Sequence, residues 1–143
     1  LNVGALVSGY SSSVGRPVCI GNMPADMREL VEVGLEAHHK TMEFMKAGVP
    51  AAEVVVKFEE FLEEKGYAQY LLYGPCHAIG LMEVERPWME SSSKYDLLEN
   101  MTYQVDTFLY KEDQYGLRWE DGVVVKEDGV ELLSDCHLEV IEL

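Results

Sequence analysis

Asp106 and Glu120 are the residues of this 143-residue chain whose spacing carries the most chemistry. The run Met101-Thr102-Tyr103-Gln104-Val105-Asp106-Thr107-Phe108 alternates with period two and is rich in residues that suit a pleated surface. Leu117-Arg118-Trp119-Glu120 and Val123-Val124-Val125 read as the next strand, with the polar, turn-like Lys111–Gly116 between them. A hairpin centred on Asp113 sets Asp106 opposite Glu120, with Cβ atoms about 4.5–5.5 Å apart. Two acids that close repel unless a proton or a cation lies between them. A slipped register would instead leave two solvated acids, and spacing alone keeps both readings open.

A histidine segment, Gly74-Pro75-Cys76-His77-Ala78-Ile79-Gly80-Leu81, lies upstream. Downstream of it come Met101 with Asp106 five residues on, then Gly116-Leu117-Arg118-Trp119-Glu120-Asp121, then Glu127-Asp128-Gly129-Val130-Glu131. In this order the motifs resemble those of the pita-bread metallopeptidases: methionine aminopeptidase, Xaa-Pro aminopeptidase, prolidase and creatinase. The resemblance covers nearly all of the chain. It implies an α+β pita-bread fold, partial here: a β-hairpin, two helices and a curved antiparallel sheet.

The resemblance also implies a ligand set. The family holds two divalent metals with two aspartates, one histidine and two glutamates, and the cations acidify a bridging water and polarise the scissile carbonyl. The matching positions here are Asn2, Ser13, His77, Asp106 and Glu120, and Arg16 matches as well. Two carboxylates are therefore replaced by neutral groups and one is shortened. No Asp or Glu precedes Asp26, so no local shift restores them. The family's peptidases carry a further histidine shortly after the first motif; Glu83-Val84-Glu85-Arg86-Pro87 has none. The expectation is a domain that has lost the dinuclear site and peptidase activity but keeps a substrate-type pocket for a small peptide or small molecule. The alternative is a hydrolase of a peptide or small C–N substrate, working through one metal or through metal-free acid–base chemistry, as in creatinase. In that case His77 and Asp106 are the catalytic candidates. His77, Asp106 and Glu120 are the residual metal ligands, for one divalent ion (Mn, Co or Zn) or for none. Arg118 matches an arginine that can meet a substrate carboxylate; a structural salt bridge is the other reading.

Two further pairs invite weaker readings. Cys76 beside His77 suggests a thiol nucleophile, but neighbours on a strand point to opposite faces. His38-His39 suggests a ligand pair, but adjacent helical residues diverge, which favours core or surface histidines.

Composition narrows the partners. The formal charge is −15, from 26 acids and 11 bases. That disfavours nucleic acid and anionic membranes, which need a basic footprint. No apolar run reaches the roughly 18 residues of a spanning helix. Cys19, Cys76 and Cys136 are few and odd in number, which fits reduced thiols in a cytoplasm. A homodimer is compatible with the composition.

The elements that must position the acids read simply. Residues 1–21 form a hairpin turning at Ser8-Gly9, with Val18 to Ile20 apolar. Residues 24–47 form a helix opened by Pro24 and stopped near Gly48, with Met27, Leu30, Val31, Gly34, His38, Met42 and Met45 on one face. Residues 50–65 form a second helix closed by Gly66, its glutamates solvated. Tyr67 to Tyr73 reads as a buried strand, Trp88 to Asn100 as a loop, and Leu138 to Ile141 as a last strand. The whole is one domain, residues 1–143. Its opening at Leu1, within a strand, reads as the C-terminal portion of a longer domain.

Overall fold

Ten strands and two helices, β1 to β10 and α1 to α2, make up the computed structural model, which describes all residues from Leu1 to Leu143. β1 (Asn2–Val7) and β2 (Tyr10–Gly15) form the opening hairpin, with Ser8 and Gly9 both at positive φ in its turn. β3 (Val18–Cys19) follows, then α1 (Ala25–Phe44) and α2 (Ala51–Lys65). Short strands β4 (Leu71–Tyr73), β5 (Cys76–Ala78) and β6 (Glu85–Trp88) lead to the long pair β7 (Thr102–Lys111) and β8 (Tyr115–Val125). β9 (Val130–Leu132) and β10 (Ile141–Glu142) close the chain.

Eight strands form one sheet in the order β1-β2-β8-β7-β5-β6, with β4 also on β7 and β9 also on β8. The β7–β8 pair is the spine. It turns at Asp113, which has positive φ, and its register sets Asp106 against Glu120 without a slip. Alternation then sorts the two faces. Tyr103, Val105, Leu109, Leu117, Trp119 and Val123 are buried in the cores beneath the helices. Gln104, Asp106, Arg118, Glu120 and Gly122 share the other face.

Helix α1 supplies Leu30, Val31, Val33 and Ala37 to one core, and α2 supplies Phe58 and Leu62 to the same one. Gly34 lets α1 press on the sheet: a Cβ there would lie 2.8 Å from Leu117 Cδ1. Helix α2 ends as Gly66 requires, with that residue left-handed and its N–H donating to Leu62 and Glu63 carbonyls.

Four expectations need correction. Tyr67 to Tyr73 is not a buried strand. Ala68–Tyr70 form a 3₁₀ turn and only Leu71–Tyr73 pair, with Leu72 and Tyr73 more than a third exposed. Aromatic content signalled burial there, and Tyr67, Tyr70 and Leu71 do pack half-buried against the core, while Tyr73 lines a cavity. Val18 does not extend the first hairpin; Val18–Cys19 pair in parallel with Ile141–Glu142 as a separate two-stranded sheet. The last strand is accordingly Ile141–Glu142, not Leu138 onward. First helix α1 stops at Phe44, with Met45 extended, and Gly48 sits in the turn beyond.

Candidate functional site

The site is assembled by four neighbouring strands of the sheet, β2, β8, β7 and β5. Cys76, His77 and Ala78 of β5 pair with Val105, Gln104 and Tyr103 of β7. On the far side of β8, β2 touches at Gly15 opposite Glu120. A Cβ at Gly15 would lie 2.8 Å from Glu120 Cβ, so only glycine permits that approach. These pairings bring one ligand atom each from His77, Asp106 and Glu120 within 4.8 Å of one another, all three side chains buried.

Asn2 and Ser13 join the same cluster. Asn2 Nδ2 donates to Glu120 Oε2 at 2.7 Å, and Ser13 Oγ donates to Asn2 Oδ1 at 2.9 Å. Asp106 is held by a different set. Arg118 Nε donates to its Oδ1 at 2.8 Å and Arg118 Nη2 to its Oδ2 at 2.5 Å. The Tyr73 hydroxyl donates to Oδ2 at 2.7 Å and is itself in contact with Arg118 Nη2. Hydrogen bonding to Asp106 raises the Arg118 guanidinium above its ordinary range. Burial, then the bond to Asp106, raises the Tyr73 phenol. Burial, then the neighbouring Asp106 charge, raises the Glu120 carboxyl, against the opposing pull of Arg118, Ser13 and Asn2.

Two atoms of the cluster have no partner. His77 Nδ1 lies 3.0 Å from the Ala78 carbonyl oxygen, which can only accept. That assigns the ring proton to Nδ1 and leaves a lone pair on Nε2 in the neutral imidazole. His77 Nε2 and Glu120 Oε1 are both buried and unpaired. Buried polar atoms are satisfied in most folded proteins, so unpaired atoms on two residues of this cluster stand out.

A cavity of about 400 Å³ opens beside His77 and Asp106, lined also by Tyr73, Trp88, Met89 and Glu90 among others. The Trp88 and His77 rings are 5.4 Å apart. Tyr73, Trp88 and Asn2's bond to Glu120 were not singled out by spacing. Tyr73 reads as part of a buried strand and Trp88 as the start of a loop, and nothing local to Trp88 announces its pairing with His77.

The two weaker pairs resolve. Cys76 Sγ lies 3.8 Å from Met45 Sδ in the core, and burial pushes its thiol well up, so it is no nucleophile. His38 is a core histidine bonded at 3.0 Å to Asp121 Oδ2, while His39 is exposed. Arg16 donates to the other oxygen of Asp121 at 2.7 Å and to the Glu120 carbonyl at 2.9 Å. This Arg16–Asp121–His38 network lies on the helix side of β8, away from the cavity.

Comparison with known proteins agrees with this architecture. The family model for metallopeptidase family M24 matches residues 1–127. A Xaa-Pro dipeptidase of Pyrococcus furiosus is 29% identical over 141 residues, 99% of this chain and 40% of the relative. The crystal structure of an X-Pro aminopeptidase from Thermotoga maritima superposes with a TM-score of 0.94 at 30% identity, covering 99% of this chain and 40% of that one. A dipeptidase from Pyrococcus horikoshii superposes equally well, with a TM-score of 0.94 at 26% identity, over 100% of this chain and 40% of that one. The chain thus spans about 40% of the length of the relatives it matches. It carries their antiparallel sheet and two helices, with the pita-bread motifs in order, and it belongs to metallopeptidase family M24.

Proposed function

We propose that this chain is an M24 domain without the dinuclear metal site and without peptidase activity, retaining the pocket as a binding site for a small peptide or small molecule. The observation that carries this reading is the charge inventory around Glu120. M24 enzymes are metallopeptidases, and a pair of divalent cations brings four positive charges. Against them stand only Asp106 and Glu120, because Asn2 and Ser13 fill the adjoining positions with neutral groups bonded to each other and to Glu120. Both oxygens of Asp106 already accept from Arg118. A second metal would have to displace a guanidinium and overcome its repulsion in a buried setting.

A second reading is favoured by the two orphan atoms. One divalent ion held by His77, Glu120 and Asp106 would satisfy His77 Nε2 and Glu120 Oε1. Three protein ligands and a water suffice at many hydrolytic zinc sites, where the metal acidifies that water. In either reading Arg118 and Tyr73 fix the Asp106 carboxylate, and Trp88 and Met89 wall the cavity. Partners stay with small ligands: the acidic balance is unsuited to nucleic acid, and no helix is long and apolar enough to cross a membrane. The relatives named as Xaa-Pro enzymes make a Xaa-Pro dipeptide the first ligand to try.

Hydrolysis of Ala-Pro by the intact protein, with Mn²⁺ and with chelator, tests the proposal. No turnover in either buffer is expected. Turnover that needs Mn²⁺ would support the one-metal reading, and turnover in chelator would support metal-free chemistry.

A further inference from the structure

We propose that a second cavity, between β2 and the segment that follows β9, binds an uncharged small molecule through the N–H of an amide group. The site shares no lining residue with the His77 cavity, so it stands apart from whatever the His77–Asp106–Glu120 cluster holds.

Its floor is one cross-strand pair, Gln104 of β7 opposite Gly122 of β8. One wall is β2, which pairs with β8 only at Gly15 opposite Glu120 and then crosses the sheet. Gln104 Nε2 donates to the Ser13 carbonyl at 2.7 Å, and the Ser11 N–H donates to the Gly80 carbonyl, beyond the end of β5, also at 2.7 Å. The other wall is fixed to β8, where the Leu133 N–H donates to the Gly122 carbonyl at 2.8 Å. The space between the two walls is about 280 Å³.

Three observations define the ligand. The first is Gln104 itself, which is fully buried. The Ser13 carbonyl can only accept, which assigns Nε2 to it and leaves Gln104 Oε1 without a partner. That oxygen lies on the Gly122 side of the floor: a Cβ on Gly122 would sit 3.5 Å from it and 3.6 Å from Leu133 Cδ1. Gly122 has no Cβ, so Oε1 opens on the cavity. A buried carbonyl oxygen calls for a donor. The second is the hydroxyls around it. Ser11 Oγ donates to the Leu81 carbonyl at 3.4 Å, and Ser134 Oγ donates to Asp121 Oδ1. Each already donates its one proton and keeps lone pairs. The cavity thus offers mainly acceptors, and a carboxamide NH2 supplies two donors from one atom. The third is the absence of a buried counter-charge. Gln104, Gly122 and the serines are neutral, Ile79 and Leu133 add apolar surface, and Asp135, the one acid in the lining, is exposed. An ammonium or guanidinium would give up its hydration here without a buried partner. A neutral amide with a short branched tail meets the acceptors and covers Ile79 and Leu133.

Titration of the intact protein with isovaleramide tests the inference, followed by ¹H–¹⁵N NMR on the Gln104 side-chain NH2 and the Gly122 backbone N–H. Methyl isovalerate, of similar shape without an N–H, and isovaleramidinium, of similar shape with a positive charge, are the controls. Saturable 1:1 binding of isovaleramide is expected, at least fivefold tighter than either control. Gly122→Ala places a methyl beside Oε1 at ordinary contact distances and is expected to weaken that binding at least fivefold. Gln104→Leu removes the acceptor and is expected to abolish it; should that variant not fold, Gly122→Ala decides. N-acetylalanine N-methylamide separates the sources. Binding of this compound alone assigns the N–H to a peptide backbone, and binding of isovaleramide alone assigns it to a primary carboxamide; either supports the inference. Equal binding of methyl isovalerate, tighter binding of isovaleramidinium, or undiminished binding in Gly122→Ala overturns it. No saturable shift with either amide also overturns it, and leaves Gln104 Oε1 to water alone.

Discussion

Arg118 grips Asp106 at two points, Nε on Oδ1 at 2.8 Å and Nη2 on Oδ2 at 2.5 Å, from the neighbouring strand. Asp106 itself is fully buried, while Arg118 is about a quarter exposed. The guanidinium therefore supplies, from within the chain, the counter-charge that a buried carboxylate needs. Its separate contact with Glu120 Oε2 at 3.4 Å ties the second acid to the same cation.

Removing that cation should expose the dependence. Arg118→Gln leaves Asp106 buried with the Tyr73 hydroxyl as its side-chain donor and no counter-charge, and the expected loss is about 2–3 kcal/mol, discounted from a fully buried pair because Arg118 reaches solvent. Arg118→Gln combined with Asp106→Asn should recover at least half of it, since the Asp106 charge is removed together with its partner. Urea denaturation measures both. A single variant within about 0.5 kcal/mol of the parent would show that solvent, not Arg118, satisfies Asp106.

Restoring the missing acids should restore cation affinity. Asn2→Asp with Ser13→Asp removes the Asn2 bond to Glu120 and gathers four carboxylates at one point. In chelator the double variant should be less stable than the parent by about 1–3 kcal/mol. With Mn²⁺ its melting temperature should rise well above the parent's response, because a ligand that binds only the folded state stabilises it by mass action. An Mn²⁺ response equal to the parent's would separate Asn2 and Ser13 from cation binding.

The buried imidazole of His38 sets a pH dependence remote from the cavity. Burial lowers its pKa below the ordinary 6.5, against the pull of the Asp121 bond, so the folded chain takes up that proton less readily than the unfolded one. Below pH 6.5 the unfolded chain binds a proton that the folded chain resists, and stability is lost as pH falls. Asp121 acts in the same direction at lower pH. Burial raises it, but bonds from His38, Arg16 and Ser134 outweigh that and hold it below 3.8, so its contribution is present above 3.8 and fades as pH drops. Urea midpoints between pH 5 and 7 should slope upward in the parent and flatten in His38→Gln. An unchanged slope would place the titration elsewhere.

The hairpin register was open to reading because it is local. Two alternating runs and one polar turn at Asp113 are enough to oppose Asp106 and Glu120. The helices were equally plain from their apolar stripes and from Pro24, Pro50 and Gly66. What stayed hidden depends on long-range closure. Tyr73 reaches Asp106 because Gly74, at φ 143°, carries the chain within 2.8 Å of the Asp106 carbonyl oxygen where a Cβ would sit. No periodicity announces such a turn. Val18 and Ile141 pair in parallel across almost the whole chain, and two residues are too few for a pattern. Arg16 matched a motif position, yet only the fold shows it bound to Asp121 on the helix side and not at the cavity.

The count of Mn²⁺ ions bound by the intact protein at equilibrium, taken by titration after exhaustive chelation and buffer exchange, tests the central claim most directly. The account predicts fewer than two ions per chain at saturation, because Asp106 and Glu120 share one guanidinium and have only Asn2 and Ser13 for company. Two ions bound tightly per chain would contradict it.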